Sequence, residues 1–289
     1  MNLDSNFLKS KSFRTGKNNK ASLMLIPFAL LSLILVIVPL IMIFIKAFVP
    51  TNGATVADNW AVMNGWIWEK ILISLVIALS TTVVCVFLAY PFSYFLSNSK
   101  SKVFKAVIIF IATAPIWTSF LVKLVGLKTF FDICAGYDNS TYGNIWTILG
   151  LIYLYLPFMI MPLYSVLNDM PKNLVNASYD LGYGPIQTFF KVTLPYTKVA
   201  LASGVTLVFL PALTTVAVPQ FLNNNNDGSM IGDIIVDQGQ SGLTSDIALA
   251  RASTLSLVLS LVLLCGFGVY VLFYKVIWKK YRAKRRNHE

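Results

Sequence analysis

The sequence is poor in charged residues and in histidine, and each shortage excludes a class of protein. Charged side chains make up only 12% of the 289 residues, whereas hydrophobic ones make up 56%. That balance is too apolar for a soluble domain to cover its surface with polar groups. The single histidine, His288, has no HExxH motif or cysteine partner, which excludes the usual zinc hydrolase signatures. We therefore expect the lipid bilayer to be the solvent of this chain, and no metal site within it.

Cysteines and nucleotide-binding motifs are equally scarce. Cys85, Cys134 and Cys265 form neither a CxxC pair nor a disulfide framework. No G-x-x-x-x-G-K-[ST] phosphate-binding loop occurs, and the lone Gly182-x-Gly184 lacks the strand and helix of a nucleotide site. The chain is therefore expected to bind no cofactor and not to be an enzyme by itself. Hydroxyl side chains at 74–82 leave an intramembrane hydrolase open, although no embedded Asp or His is available as its base.

Six apolar runs are long enough to cross a membrane, because a hydrocarbon core about 30 Å thick needs roughly 20 helical residues. They are residues 22–48, 71–96, 106–127, 146–167, 199–218 and 252–277. The first run is too long for a signal-peptide core and lacks a small-x-small cleavage pattern, so we expect it to stay as a span. The predicted fold class is an all-α integral membrane protein with about six transmembrane helices. One transmembrane domain, 22–277, is predicted between basic tails at 1–21 and 278–289.

Loop charges predict the orientation, because Lys and Arg are retained on the cytoplasmic side. The basic segments are 9–20, 100–105, 172–198 and 275–286, and all of them fall on one side of a six-span topology. The opposite loops are mainly acidic, with Asp58, Glu69, Asp132, Asp138, Asp227, Asp233, Asp237 and Asp246. Both termini are therefore predicted to be cytoplasmic. The net charge of +11 is spread over short loops, so no nucleic-acid partner is expected.

Two connections are long enough to carry a function: a cytoplasmic loop at 169–198 and an external loop at 219–251 that contains an Asn-rich run. In the first, Leu174, Ala177, Ser178 and Leu181 share one face of a predicted short helix. Gly182 ends that helix, Gly184-Pro185 makes a turn, and a second short helix is predicted over 185–191. The loop would expose apolar groups that favour a partner groove. An interfacial helix lying on lipid headgroups is the alternative.

The cytoplasmic loop also carries a motif. It consists of Asn176-Ala177-Ser178, then Gly182, Val192 and Leu194-Pro195. This run resembles the E-A-A-x3-G-x9-I-x-L-P loop of ABC importer permeases, with Asn176, Ser178 and Val192 as departures. The resemblance implies coupling helices that dock on an ATP-binding subunit, with Ala177, Gly182 and Pro195 at the contact. Asn176 removes the usual carboxylate, and we predict that Asp180, one helical turn further on, replaces it.

Further stretches at 90–96, 114–118 and 156–164 resemble the spermidine/putrescine (PotB-like) permeases of this superfamily. The resemblance implies a type I ABC importer permease in the bacterial plasma or inner membrane, moving polyamines inward by alternating access. It also implies ATP and Mg²⁺ in two partner ATP-binding subunits, a second homologous permease and an extracellular polyamine-binding protein. A permease for an amino acid or another organic cation is one alternative. A secondary transporter is the other, although the spans are nearly free of the ionisable groups that such coupling needs.

Candidates for a substrate path follow from the chemistry of a polycation, which aromatic faces and carboxylates attract. They are Trp117, Tyr153 and Tyr155 in the spans, and Asp132 and Asp138 at the external mouth. Helix packing, interface anchoring and plain solvation are the alternatives for these residues. Lys123 lies in the third span, and its closeness to the outer end predicts that it snorkels to the membrane surface. The hinge candidates are Pro115, Pro157, Pro162 and Pro211.

Overall fold

The computed structural model describes residues 19–50, 55–135, 139–223 and 230–286, and these ranges are helical with short connections. The helices are α1 Asn19–Phe48, α2 Val56–Trp60, α3 Gly65–Asn98, α4 Lys102–Trp117, α5 Phe120–Ala135, α6 Asn139–Asn168, α7 Lys172–Asp180, α8 Pro185–Thr188, α9 Leu194–Thr214, α10 Ala217–Leu222, α11 Ile231–Ser241 and α12 Asp246–Arg286. A π-helical turn, Phe189–Thr193, joins α8 to α9. Most of the basic N-terminal tail, residues 224–229 of the Asn-rich run, Asp138 and His288 lie outside the described residues.

Five stretches are long and apolar enough to cross a membrane: Ile26–Phe48, Gly65–Asn98, Gly143–Asn168, Pro185–Thr214 and Asp246–Gly266. The α4–α5 pair makes a sixth span if the two helices are taken together. The prediction of an all-α protein with about six spans is therefore confirmed. The fifth span differs from its predicted 199–218, because it begins at Pro185 and ends at Thr214, and Val218 belongs to the separate helix α10.

The third span is not the straight helix that its apolar run predicts. α4 and α5 meet at an angle of 100° across Thr118 and Ser119. The break leaves the last carbonyl groups of α4 without helical partners. Lys123 Nζ donates to the Pro115 carbonyl at 2.7 Å, and Thr118 Oγ1 donates to the same oxygen at 3.1 Å. The ammonium group of Lys123 therefore caps the end of α4, and its snorkelling to the membrane surface stays a prediction.

Helices α3, α6 and α9 form the centre of the bundle, and their buried residues fall into two clusters. We call the end that carries α7 and α8 the loop end, and the opposite end, with α2, α10 and α11, the far end. The loop-end cluster contains Cys85, Ala89, Tyr90, Met159, Ile160, Leu163, Ala200 and Val208. The far-end cluster includes Ile67, Ile71, Ile77, Leu151, Leu154, Ala212, Leu213, Leu222, Ile231 and Leu255. Each end of the bundle therefore has its own apolar core.

Helix α1 packs at the side of this bundle, against α2 and α12. Ala47 is its buried apolar residue in the part whose side chains are described, while residues such as Phe28, Leu35 and Phe44 are more than half exposed. An exposed apolar helix of this length is stable in lipid and not in water. Lys46 Nζ lies 3.8 Å from Asp246 Oδ1, which ties α1 to the first turn of α12.

The far end is closed by α10 and α11, the helices of the long external loop. The Ile231 N–H donates to Ser74 Oγ at 2.9 Å, and both groups are buried. A Cβ placed on Gly232 would lie 2.9 Å from the carbonyl oxygens of both Thr214 and Thr215, so the start of α11 touches the end of α9 directly. Gln220 donates to Asp233, whose pKa is nevertheless raised because burial penalises its charged form.

Candidate coupling surface and translocation path

The loop between α6 and α9 contains both predicted short helices, but the second ends at Thr188 instead of residue 191 and continues through the π-helical turn into α9. The first helix has a well-defined end. Gly182 adopts φ +80, its N–H donates to Tyr179 O at 2.8 Å, and the Tyr183 N–H donates to Ser178 O at 3.0 Å. This hydrogen-bond pair is a Schellman motif, in which glycine supplies the left-handed residue at no steric cost. The motif turns the chain sharply and starts α8 at Pro185, where a missing N–H costs nothing.

Side-chain contacts hold α7 and α8 together as one unit. Ser178 Oγ and Thr188 Oγ1 lie 2.9 Å apart, and each residue is 2% exposed. Lys191 Nζ lies 4.4 Å from the centre of the Tyr183 ring, a cation–π contact that bridges the turn. Ser178 is one of the departures from the E-A-A pattern, and its buried hydrogen bond gives this departure a structural role that an alanine there would lack.

The same unit is anchored to α3 by aromatic rings. The Phe189 ring meets the Tyr90 and Tyr94 rings edge to face, at centroid distances of 5.3 and 5.7 Å. The Tyr90 hydroxyl lies 2.7 Å from Thr197 Oγ1, and both residues are buried. Sequence reasoning missed these contacts, because no local pattern pairs Tyr90 with a residue 107 positions away.

The outer surface of the loop is apolar at its tip. Leu181 and Ile186 are 75% and 74% exposed, on opposite sides of the Gly182 turn, and Leu174 and Tyr179 are also exposed. Two exposed aliphatic side chains on a rigid, internally hydrogen-bonded support suit insertion into a partner's groove.

The motif residues divide between this surface and the interior. Asn176, Ala177 and Asp180 are exposed on α7, and Pro195 is exposed in the first turn of α9. Val192 and Leu194 are half-buried, and Leu194 packs against the loop-end cluster. Apart from the buried Ser178, the N-terminal half of the motif therefore faces outward, while part of its C-terminal half holds the loop to the bundle.

The described path candidates do not share one environment. Trp117 is 80% exposed beside the α4–α5 break, and Tyr153 and Asp132 are also exposed. Tyr155 is instead half-buried where the two core clusters meet, with its ring 6.2 Å from the Phe158 ring and Thr215 beside its hydroxyl. Asp138 lies outside the described residues.

Comparison with known proteins identifies this fold and loop. The family described as "Binding-protein-dependent transport system inner membrane component" matches residues 86–282, which include all of α7, α8 and α9. The chain belongs to this family. It is therefore a multi-pass inner-membrane permease subunit, and the resemblance seen in the sequence is confirmed.

Named relatives match most of the chain. This chain is 40% identical over 281 residues to the spermidine/putrescine transport system permease protein PotB homolog of Mycoplasma genitalium. The alignment covers 92% of this chain and 96% of that one. The chain is 33% identical over 221 residues to the permease protein PotB of Escherichia coli, covering 72% and 80% of the two chains. A bacterial ABC transporter chain involved in importing the acidic polysaccharide alginate matches in structure with a TM-score of 0.62 and 17% identity, covering 92% of this chain and 98% of that one.

The left-handed turn at Gly182, in the loop between α6 and α9, gives a first testable prediction. We expect Gly182→Ala to destabilise the loop by about 1 kcal/mol, because alanine pays a steric cost in the left-handed region. A Cβ at Gly182 meets nothing within 4 Å, so the backbone angle alone carries the effect. Gly184→Ser is the matched control, since Gly184 has equal space, φ −74 and the N-cap position of α8, which serine suits at least as well as glycine. Protease susceptibility of the loop in membranes measures both variants, and equal cleavage rates would contradict the prediction.

Proposed function

We propose that this chain is the permease subunit of an ATP-driven importer that moves the polyamines spermidine and putrescine into the cell by alternating access. The observation that carries the proposal is 40% identity, over 92% of the chain, to a relative named as a spermidine/putrescine permease. Alignment over nearly the full length includes the spans and the far-end helices, where a cargo would be met, as well as the coupling loop.

The energy for transport comes from partner subunits in this proposal. Two ATP-binding subunits bind ATP and Mg²⁺, and the apolar tip formed by Leu181 and Ile186 docks in a cleft on one of them. The loop end of the bundle, with both chain termini, then faces the cytoplasm, as the basic loops favour. Closure of the ATP-binding subunits pushes the α7–α8 unit and converts an outward opening into an inward one.

The far end then faces outward and receives polyamine from an extracellular binding protein. Asp132 and Asp237 are exposed carboxylates on this side and suit a polycation. A second, homologous permease completes the path, and Trp117, Tyr153 and Tyr155 are our candidates for its aromatic contacts in this chain. Cation–π contacts of about 0.5 to 2 kcal/mol each are weak enough to let the cargo leave again.

The decisive experiment is ATP hydrolysis by the co-purified complex in liposomes. The binding protein is supplied with spermidine, putrescine, glutamine or no ligand. Stimulation by a polyamine alone supports both the importer class and the cargo. Stimulation by glutamine would support the proposed docking of the coupling loop on an ATP-binding subunit, but it would reject polyamines as the cargo. A chain that drives uptake without any ATPase would reject the importer in favour of a secondary transporter.

Asp180 provides a test of the docking surface. It is the last residue of α7 and is exposed, and a carboxylate at a helix C-terminus opposes the helix dipole. We expect Asp180→Ala to insert and fold normally but to lower ATP-driven uptake roughly tenfold, because a charge-assisted hydrogen bond to the partner is lost.

Asp169→Ala is the matched control for Asp180→Ala, since it removes an equal, exposed charge from the same loop outside α7. Uptake of labelled spermidine in liposomes measures both variants. Normal uptake by the Asp180 variant, or an equal loss in the control, would show that Asp180 does not replace the missing carboxylate of Asn176.

A further inference from the structure

The coupling loop reaches the three central helices in different ways. Covalent connections join it to α6 through residues 169–171 and to α9 through the π-helical turn. Helix α3 has no such connection, yet it packs extensively against both α6 and α9. A push on the loop therefore reaches α3 only through side-chain contacts.

Tyr90 occupies the point where those contacts meet. It is 6% exposed, on α3, within the loop-end cluster. Its ring lies against the Phe189 ring of the loop, and its hydroxyl pairs with Thr197 of α9. One buried side chain thus joins α3 to the loop and to α9 together.

We propose that Tyr90 is a positioning residue that transmits displacement of the coupling loop to α3, so that α3 and α9 move as one body when ATP is hydrolysed. The hydroxyl pair is the part that fixes their relative position, because a buried hydrogen bond is directional and costly to leave unmade. Contact between the rings of Tyr90 and Phe189 alone would let the two surfaces slide past each other. The proposal rests on the ATP-driven transport proposed above, but on no particular cargo.

The test separates coupling from folding. The reconstituted complex is assayed for solute moved per ATP hydrolysed, with whichever cargo stimulates the unaltered complex most. Tyr90→Phe keeps the ring and removes the hydroxyl. We expect it to keep its ATP hydrolysis and to move about threefold less solute per ATP, the size of shift that one buried neutral hydrogen bond gives to an equilibrium.

Matched variants complete the test. Tyr164→Phe removes a tyrosine hydroxyl from a residue that packs on the same cluster and has no hydrogen-bond partner within the described ranges, and it should leave the ratio unchanged. Thr197→Val should match Tyr90→Phe, and combining the two should add nothing further.

Three results would overturn the proposal: an unchanged ratio in Tyr90→Phe, an equal fall in Tyr164→Phe, or a fall in uptake and ATP hydrolysis together with a lower unfolding temperature. The last would make Tyr90 a stabilising residue only. If the polyamine assignment were wrong, the unaltered complex would instead be stimulated by a different cargo.

Discussion

Replacing both Leu181 and Ile186 with aspartate is expected to abolish ATP-driven uptake while the chain still reaches the membrane. These side chains form the exposed apolar tip of the coupling loop. Truncating a hot-spot residue costs about 2 kcal/mol or more, so losing even one such anchor weakens docking roughly thirtyfold. Carboxylates forced into an apolar groove add a desolvation penalty. Co-purification of the ATP-binding subunits with a tagged chain measures the loss.

The control for this variant is Leu243→Asp at the far end. Leu243 is 88% exposed, so the substitution has the same chemistry on a leucine that is at least as accessible. We expect it to co-purify normally with the ATP-binding subunits. If both variants lost the ATP-binding subunits equally on purification, exposed leucines would matter only for membrane insertion. The proposal that Leu181 and Ile186 dock on a partner would then be rejected.

Gly232→Ala is expected to destabilise the far end by about 1 to 3 kcal/mol, the range of overpacked cores. The new methyl group would lie 2.9 Å from two carbonyl oxygens of the α9 end, and backbone atoms cannot move aside as a flexible side chain would. Any shift of α11 also strains the buried hydrogen bond from the Ile231 N–H to Ser74 Oγ. The unfolding temperature of the detergent-purified chain measures the effect.

Gly239→Ala is the matched control for Gly232→Ala, because it lies in the same helix and its Cβ meets nothing within 4 Å. Alanine is the better helix former, so we expect Gly239→Ala to be neutral or stabilising by about 0.5 to 1 kcal/mol. If Gly232→Ala unfolded no earlier than this control, the close approach of α9 and α11 would be refuted.

The spans and the coupling loop were predictable because their causes are local. Hydropathy fixes which stretches enter lipid, and the chemistry of Gly182 and Pro185 fixes the turn between α7 and α8. Six spans, the helix before Gly182 and the helix start at Pro185 could therefore be predicted from the sequence. Which motif residues contact the partner stays a prediction.

The rest depends on contacts between distant residues. The bend at Thr118 lies just after the hinge candidate Pro115, but the sequence shows neither its angle of 100° nor that Lys123 would turn back to cap α4. The pairing of Tyr90 with Thr197 needs the bundle to form first. The sequence predicts one long external loop at 219–251, and helix α11 lies inside it without a local signal that would show it.

The π-helical turn gives the length of the coupling motif a physical meaning. Phe189 and Thr197 both face Tyr90 although they are eight residues apart. In a plain α-helix such positions point about 80° apart, whereas seven residues bring them within about 20°. The turn absorbs the extra residue, as π-helical insertions do. By the same count, deleting one residue of this turn would give a plain α-helix in which Phe189 and Thr197 still face the same side, whereas inserting one more would turn the Leu181–Ile186 tip by about 100° relative to α9. This loop should therefore tolerate substitutions far better than insertions.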